Sequence, residues 1–229
     1  MSNLCSLSTQ VGKNFKNKSI FIWQSEILYL SLMYKLKTTG VKTLVIHPKD
    51  PSTTFLEVIY KGMKEATVLT GNSVTQEELK AIIPDYDRVI IMGHGSPYGL
   101  FTAGGFVGNR GYIVDDSFVN ILRNNPNNIY IWCHADVFVN RFNLFGFHSG
   151  MFVSEVGEAY ACGIKHQTQK DVDESNYGFC ELVKKYRTKS VDVIYRNVKR
   201  LYGVMAEHNL VAEYNYNRLH IKRKKYLAV

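Results

Sequence analysis

The chain has 229 residues, enough for one large domain, and its 45% hydrophobic and 21% charged content lies near the globular average, which excludes extensive disorder. Its net charge of +8 is scattered apart from Arg218, Lys222, Arg223, Lys224 and Lys225; this run reads as a solvated helix end or tail, and with no groove-reading motif around it nucleic acid is not the expected partner. Cys5, Cys133, Cys162 and Cys180 show no C-x-x-C pair and no metal-ligand spacing, so neither a disulfide framework, a metal nor another cofactor is expected. Residues 1–18 lack a signal-peptide core, and the apolar stretch 19–36 is broken by Gln24, Ser25 and Glu26, so no membrane span is expected and the reading is a protein of the reducing cytoplasm.

Short apolar runs alternate with longer amphipathic ones, the pattern of parallel strands buried between helices. Residues 19–23 read as a strand and 25–38 as a helix closed by Gly40, and residues 41–47 form the next strand. The turn-rich "HPKDPSTT" offers Ser52, Thr53 or Thr54 as the cap of a helix starting at Phe55. Residues 66–71 are a strand, and a helix over 75–83 is opened by Ser73 or Thr75 with Glu77 and Glu78. "DRVIIMGH" (87–94) is the strongest strand; the Gly-rich segment 95–111 after it reads as an ordered surface loop, too long for a hairpin. A short strand and a helix over 116–124 lead to a second strong strand, "NIYIWC" (128–133). Beyond about residue 150 the chain reads as helical, with the polar stretch 165–176 as a loop or linker. The expected architecture is α/β, a doubly wound, mostly parallel sheet over residues 1–165 with a helical extension, 166–229, packed on it.

Two of these strands end in reactive residues. In open α/β sheets, chemistry gathers at the carboxyl ends of the strands. If 88–93 and 128–132 are parallel neighbours, His94 and Cys133, 39 positions apart, emerge side by side. A free thiol is only slightly ionised at neutral pH, and an adjacent imidazole takes its proton or stabilises the thiolate. The glycines flanking His94 let backbone approach a substrate and leave the Gly95 N–H to face a developing oxyanion.

An apolar strand ending in His-Gly, here "RVIIMGHGSPYGLF", followed about forty residues later by one ending in Cys, here "NIYIWCHADVFV", resembles the caspase-like (clan CD) cysteine peptidases. The resemblance implies a caspase-hemoglobinase fold, His94 as general acid and base, Cys133 as nucleophile, and the N–H groups of Gly95 and Cys133 as oxyanion hole. The substrate would be a protein or peptide. The chain carries neither the Gln-Ala-Cys-x-Gly of caspases nor the Asp-Cys-Cys-His-Ser-Gly of metacaspases, so it would be a divergent, bacterial-type member. A cytoplasmic endopeptidase must be restrained, so latency is expected; the resemblance adds a signal-activated role in antiviral defence, and the basic balance and capped helix N-terminus suit a small nucleotide as activator.

Other polar residues complete the expectation. Asp136 reads first as the cap of the helix starting near Ala135, and otherwise as a wall of the substrate pocket. Together with Glu155 and Glu158 it suggests substrate binding by an acidic surface that favours Arg or Lys before the cleaved bond. His47, Asp50, Ser52 and Thr53 border the same edge and suit a ligand anion docked on a helix N-terminus. The competing functions are an anion-binding signalling module on a flavodoxin-like fold, and a DJ-1/PfpI-like hydrolase built on Cys133-His134. A tyrosine phosphatase is excluded, because position 139, six beyond Cys133, is Val rather than Arg.

Overall fold

Strands covered on both faces need apolar side chains along their length, and the central strands here have them at Leu44–Ile46, Val89–Met92 and Ile129–Ile131. The computed structural model describes residues 40–71 and 73–225, and the elements below belong to one compact unit, Val41–Val229. The strand expected at 19–23 and the helix at 25–38 lie outside the described residues.

β1 (Thr43–Ile46) leads into a 3-10 turn (Pro51–Leu56) and the short helix α1 (Glu57–Tyr60), followed by β2 (Ala66–Leu69). Thr75 caps α2 (Gln76–Ile82) in a reciprocal box with Glu78, as the sequence pattern requires, and β3 (Arg88–Met92) follows. The Gly-rich segment is a loop only in its second half, residues 102–111; its start is a hairpin, contrary to expectation. It folds as β4 (Gly95–Ser96) and β5 (Gly99–Phe101), a tight hairpin extended by β6 (Tyr112–Val114) into a three-stranded antiparallel sheet. Gly99, at φ +147°, makes the hairpin possible, because a side chain there would also meet Val114 O at 2.0 Å. A 3-10 turn (Asp116–Phe118) and α3 (Val119–Arg123) cross to β7 (Ile129–Ile131), and α4 (Ala135–Arg141), β8 (Gly146–Ser149) and α5 (Val156–Ala161) follow.

Two expectations for the C-terminal part are corrected. Gln169–Asn176 is not linker but the first turns of α6 (Gln169–Tyr186), capped by Thr168 and burying Val172, Ser175 and Asn176. After α7 (Val191–Ala206) and α8 (Leu210–Tyr216), the described residues do not stay helical. Leu219–Lys222 forms β9, antiparallel to β8, so part of the basic run lies on a sheet edge, where lysines discourage further pairing. β8 itself, ahead of the region that reads as helical, carries Gly, His and Ser in four residues and so lacks a strand's usual signature.

The main sheet has the order β2-β1-β3-β7-β8-β9, parallel except for β9. Its strands alternate between two cores. Leu44, Ile46, Val89, Ile91, Tyr130 and Trp132 pack towards the side of α2, α3 and α4. Val45, Ile90, Met92, Ile129 and Ile131 face α1, α6, α7 and α8. Fully burying one such side chain stabilises by roughly 1.5–3 kcal/mol, so this two-sided burial fixes strand register and the placement of everything at the strand tips. The order reverses between β1 and β3, which opens a crevice at their carboxyl ends.

Candidate functional site

Pairing of Ile90 with Ile129 and Met92 with Ile131 brings the ends of β3 and β7 level, so His94 and Cys133 emerge from neighbouring parallel strands. Both line one cavity of about 580 Å³, together with Asp50, Gly95, His134 and Glu158. That volume lies in the range of small-ligand sites. They also meet in a narrow fissure of about 20 Å³ walled by Thr53, Trp132 and Phe152.

The loop after β1 holds the imidazole. Asp50, not Ser52, Thr53 or Thr54, is the N-cap: its Oδ1 accepts from Ser52 N at 2.9 Å and Thr53 N at 3.2 Å, while Thr53 Oγ1 accepts from Asp50 N. Ser52 Oγ donates to Asp50 Oδ1 at 2.7 Å and lies 2.6 Å from His94 Nε2. With its own proton committed to Asp50, the hydroxyl accepts from His94, which places a proton on Nε2 and leaves Nδ1 as the basic atom of the neutral ring. Asp50 Oδ2 lies 3.2 Å from the same Nε2. Burial by itself would raise the Asp50 carboxyl, but the Ser52 and Thr53 hydrogen bonds and the His94 charge hold it below the usual carboxylate range. The first N–H groups of this turn are thus satisfied within the chain, which removes the anion site expected at Ser52 and Thr53.

Cys133 is half-buried, and its thiol donates to Phe152 O at 3.4 Å. Burial pushes it up to about 11; the Phe152 bond works against this rise and the nearby Glu158 carboxylate adds to it. At rest the sulfur is a neutral thiol, not a preformed thiolate. The Cys133 N–H has no acceptor among the described residues.

The geometry around Gly95 follows from strand pairing. Phe101 N donates to His94 O at 2.8 Å, so His94 and Phe101 are a hydrogen-bonded pair, and the next pair, Gly95 with Leu100, is a non-bonded one. The Gly95 N–H therefore points away from β5. A Cβ at this position would lie 2.2 Å from Trp132 Cδ1, so glycine is required here by the indole, whose Nε1 donates to Ser96 O.

The remaining candidates do not converge. His47 is fully buried, its ring nitrogens 3.2 Å from Tyr60 Oη and Thr53 Oγ1, and burial pushes it down to about 4; it supports the loop from below and does not reach the cavity. Of the three acidic residues only Glu158 joins Cys133, with its Oε2 accepting from Ser154 N and Oγ. Glu155 lines a neighbouring cavity. Asp136 faces Gly150 beside β9; it is not the N-cap of α4, and its buried Oδ1 has no partner among the described residues. The N-cap position is His134, held at φ 69° without a side-chain bond. His134 lines the cavity, and its positive φ, unusual for a residue with a side chain, turns the chain sharply after Cys133. The sequence offers His134 only as part of the Cys133-His134 turn of the DJ-1/PfpI-like alternative, because one His after a strand carries no periodic signal.

Among the described residues no helix is long and apolar enough to cross a membrane, and no group of three His, Cys, Asp or Glu side chains is placed to hold a metal ion. Comparison with family models gives no match, and comparison with curated proteins gives none.

Proposed function

We propose that this protein is a cysteine endopeptidase of the caspase-like type, with Cys133 as nucleophile and His94 as general acid and base. The observation that carries this reading is the pairing of β3 with β7, which sets both residues at the mouth of one cavity. His94 Nδ1 takes the Cys133 proton as the sulfur attacks the carbonyl carbon of the peptide bond, a sequence suited to a thiol that is neutral at rest. The carbonyl oxygen, now an alkoxide, meets the N–H groups of Gly95 and Cys133. Collapse expels the amine, which receives the proton from His94. Water then attacks the resulting thioester as His94 takes one of its protons, and His94 returns that proton to the sulfur as the C–S bond breaks, which releases the acid and restores the thiol.

A neutral thiol bonded to Phe152 O also supports latency: the resting chain is poorly active until a substrate or activating ligand frees the sulfur. The test is cleavage of a broad peptide library by the full chain, alone and with small nucleotides. Cleavage that disappears in both Cys133→Ala and His94→Ala, with unchanged melting temperatures, supports the reading. Cleavage that persists in either variant overturns it, as does a lack of cleavage under every condition.

A further inference from the structure

The positive charge of the chain is concentrated in one region. Residues 184–225 hold 12 of the 28 Lys and Arg but only 3 of the 20 Asp and Glu, which leaves 16 and 17 for the rest of the chain, close to neutrality. The fold gathers this excess at the amino ends of the strands. Arg88, the first residue of β3, is buried, and its guanidinium donates to the carbonyl oxygens of Asn127, Arg187 and Lys189, which pins the turn between α6 and α7 there. β9 runs antiparallel to β8 with Lys222 opposite Gly146, the first residue of β8, so Arg223 leaves the sheet at the same end. His94 and Cys133 stand at the other end, beyond the paired carboxyl ends of β3 and β7.

α7 joins the two basic segments. Asp192, Arg196 and Lys199 recur at i, i+4 and i+7, so they share one face of the helix, and Arg200 borders it. Asp192 is paired with Arg223, and Lys199 Nζ donates to Tyr216 O at 2.6 Å while lying over that residue's ring. Arg196 falls between these two contacts. Like Lys189 and Arg200, it is exposed and has no ion-pair partner among the described residues. The acid on this face is already neutralised by Arg223, whereas Glu207 stands at the far end of α7 and Glu213 on α8. From Asp192 to Arg200 the helix rises about 12 Å. Over that length one strand of a nucleic-acid duplex presents about three or four phosphates.

A duplex is the polyanion that fits best. Single strands are held by bases stacked on open aromatic faces, but here Lys199 covers Tyr216, and Tyr195 packs against Phe147 with ring centroids 6.4 Å apart. Bilayers are held by cations together with inserted apolar side chains, and the exposed Val204 and Leu210 lie towards the other end of α7. Duplex phosphates are external and regularly spaced, so cations alone can grip them without a motif that reads the grooves. The lack of such a motif in the sequence argues against base readout, not against backbone binding.

We infer that the face formed by α7 and the end of β9 binds duplex nucleic acid through its phosphate backbone, without base recognition. This goes beyond the peptidase reading and does not depend on it, because the surface lies at the opposite end of the strands from Cys133.

The experiment titrates the full chain into a labelled, mixed-sequence DNA duplex of about twenty base pairs and follows fluorescence anisotropy between about 50 and 200 mM salt. The expected result is a log–log salt slope of about −3 to −4, or roughly a hundredfold loss of affinity over that range. Arg196→Gln combined with Arg200→Gln should reduce the slope by about two and weaken binding about tenfold or more. Lys165→Gln combined with Lys170→Gln removes the same charge from exposed positions elsewhere and should do neither. No binding at the lowest salt, an affinity independent of salt, or equal weakening by the two double variants overturns the inference, the last by showing attraction to net charge alone. Equal or tighter binding of the single strand, or binding of phosphatidylserine vesicles at a salt concentration that releases the duplex, also overturns it. Peptide cleavage by the same preparation is read separately: its absence counts against the peptidase and leaves the duplex result standing.

Discussion

Nε2 of His94 lies 2.6 Å from Oγ of Ser52, although 42 positions separate them in the chain. The contact exists because β1 and β3 are hydrogen-bonded neighbours at the reversal of strand order, so the loop leaving one reaches the residue ending the other. It fixes the imidazole's tautomer as well as its place, since the Ser52 proton is held by Asp50. The cap of a 3-10 turn and the orientation of a candidate base are therefore one hydrogen-bond network.

The first prediction concerns that network. Ser52→Ala leaves Nε2–H with only the longer Asp50 contact, and should lower kcat about tenfold or more with little change in KM, since Ser52 acts through His94. Ser52→Thr keeps the hydroxyl and should restore most of the rate. Asp50→Asn retains a good cap but loses the charge, so melting should change little while kcat falls. Wild-type kcat in Ser52→Ala, measured on any peptide that the protein cleaves, would remove the positioning role.

The second concerns Gly95. Gly95→Ala forces a methyl group to within 2.2 Å of Trp132 Cδ1 and 2.7 Å of Gly99 O, and the indole is locked by its own bond to Ser96 O. Overpacking of this kind costs about 1–3 kcal/mol. Gly157, in the first turn of α5, has nothing within 4 Å of an added Cβ, so Gly157→Ala should be neutral or stabilise by about 0.5–1 kcal/mol. Urea denaturation of both variants checks the contrast, and equal stability of the two would contradict it.

What the sequence disclosed divides along physical lines. β3 from Val89 onward and β7 are unbroken apolar runs, because helices cover both faces, and their pairing is what made His94 and Cys133 legible as neighbours. β9 was hidden because "LHIK" carries as much charge as a helix end, and its pairing with β8 is non-local. The start of α6 was hidden because Ser175 and Asn176 are buried yet polar, one bonded to Tyr202 and the other to Ser154 O, so the apolar period fails there. Ser52 and Asp50 stood out as turn chemistry, but their role towards His94 depends on a strand order that no local pattern encodes.

The third prediction is chemical. With Cys133 pushed up to about 11, the thiolate fraction at pH 8 is about one in a thousand, so iodoacetamide should modify it slowly at neutral pH. The rate, followed at Cys133 by peptide mass mapping, should rise about tenfold per pH unit from pH 8 and level off near 11. Cys180 is fully buried and should stay unmodified in the folded protein. Fast modification of Cys133 with no pH dependence between 6 and 9 would indicate a preformed thiolate, contrary to its burial and its bond to Phe152 O.

The fourth prediction links two buried histidines to acid stability. His47 and His148 are 0% and 2% exposed, and burial pushes each from 6.5 down to about 4. His148 donates from Nδ1 to Gly146 O and sits with its ring centroid 5.7 Å from that of His220; among charged groups, Lys222 also opposes its protonation and Asp136 favours it. For His47, Glu57 and Asp50 favour protonation, while Lys49 and His94 oppose it. Between pH 6.5 and 4 the unfolded chain binds protons at these positions and the folded chain does not, so stability is complete above 6.5 and is lost as pH falls towards 4. Each histidine contributes on the order of 3 kcal/mol to that loss. Thermal unfolding of wild type should therefore show a melting temperature falling steeply over this window. His47→Gln and His148→Gln lower stability overall but carry no titrating group there, so each should flatten the slope, and the double variant should flatten it further. An unchanged slope in both single variants would mean that these rings are protonated in the folded protein, and that the loop beneath Asp50 and the β8–β9 pair are open to water.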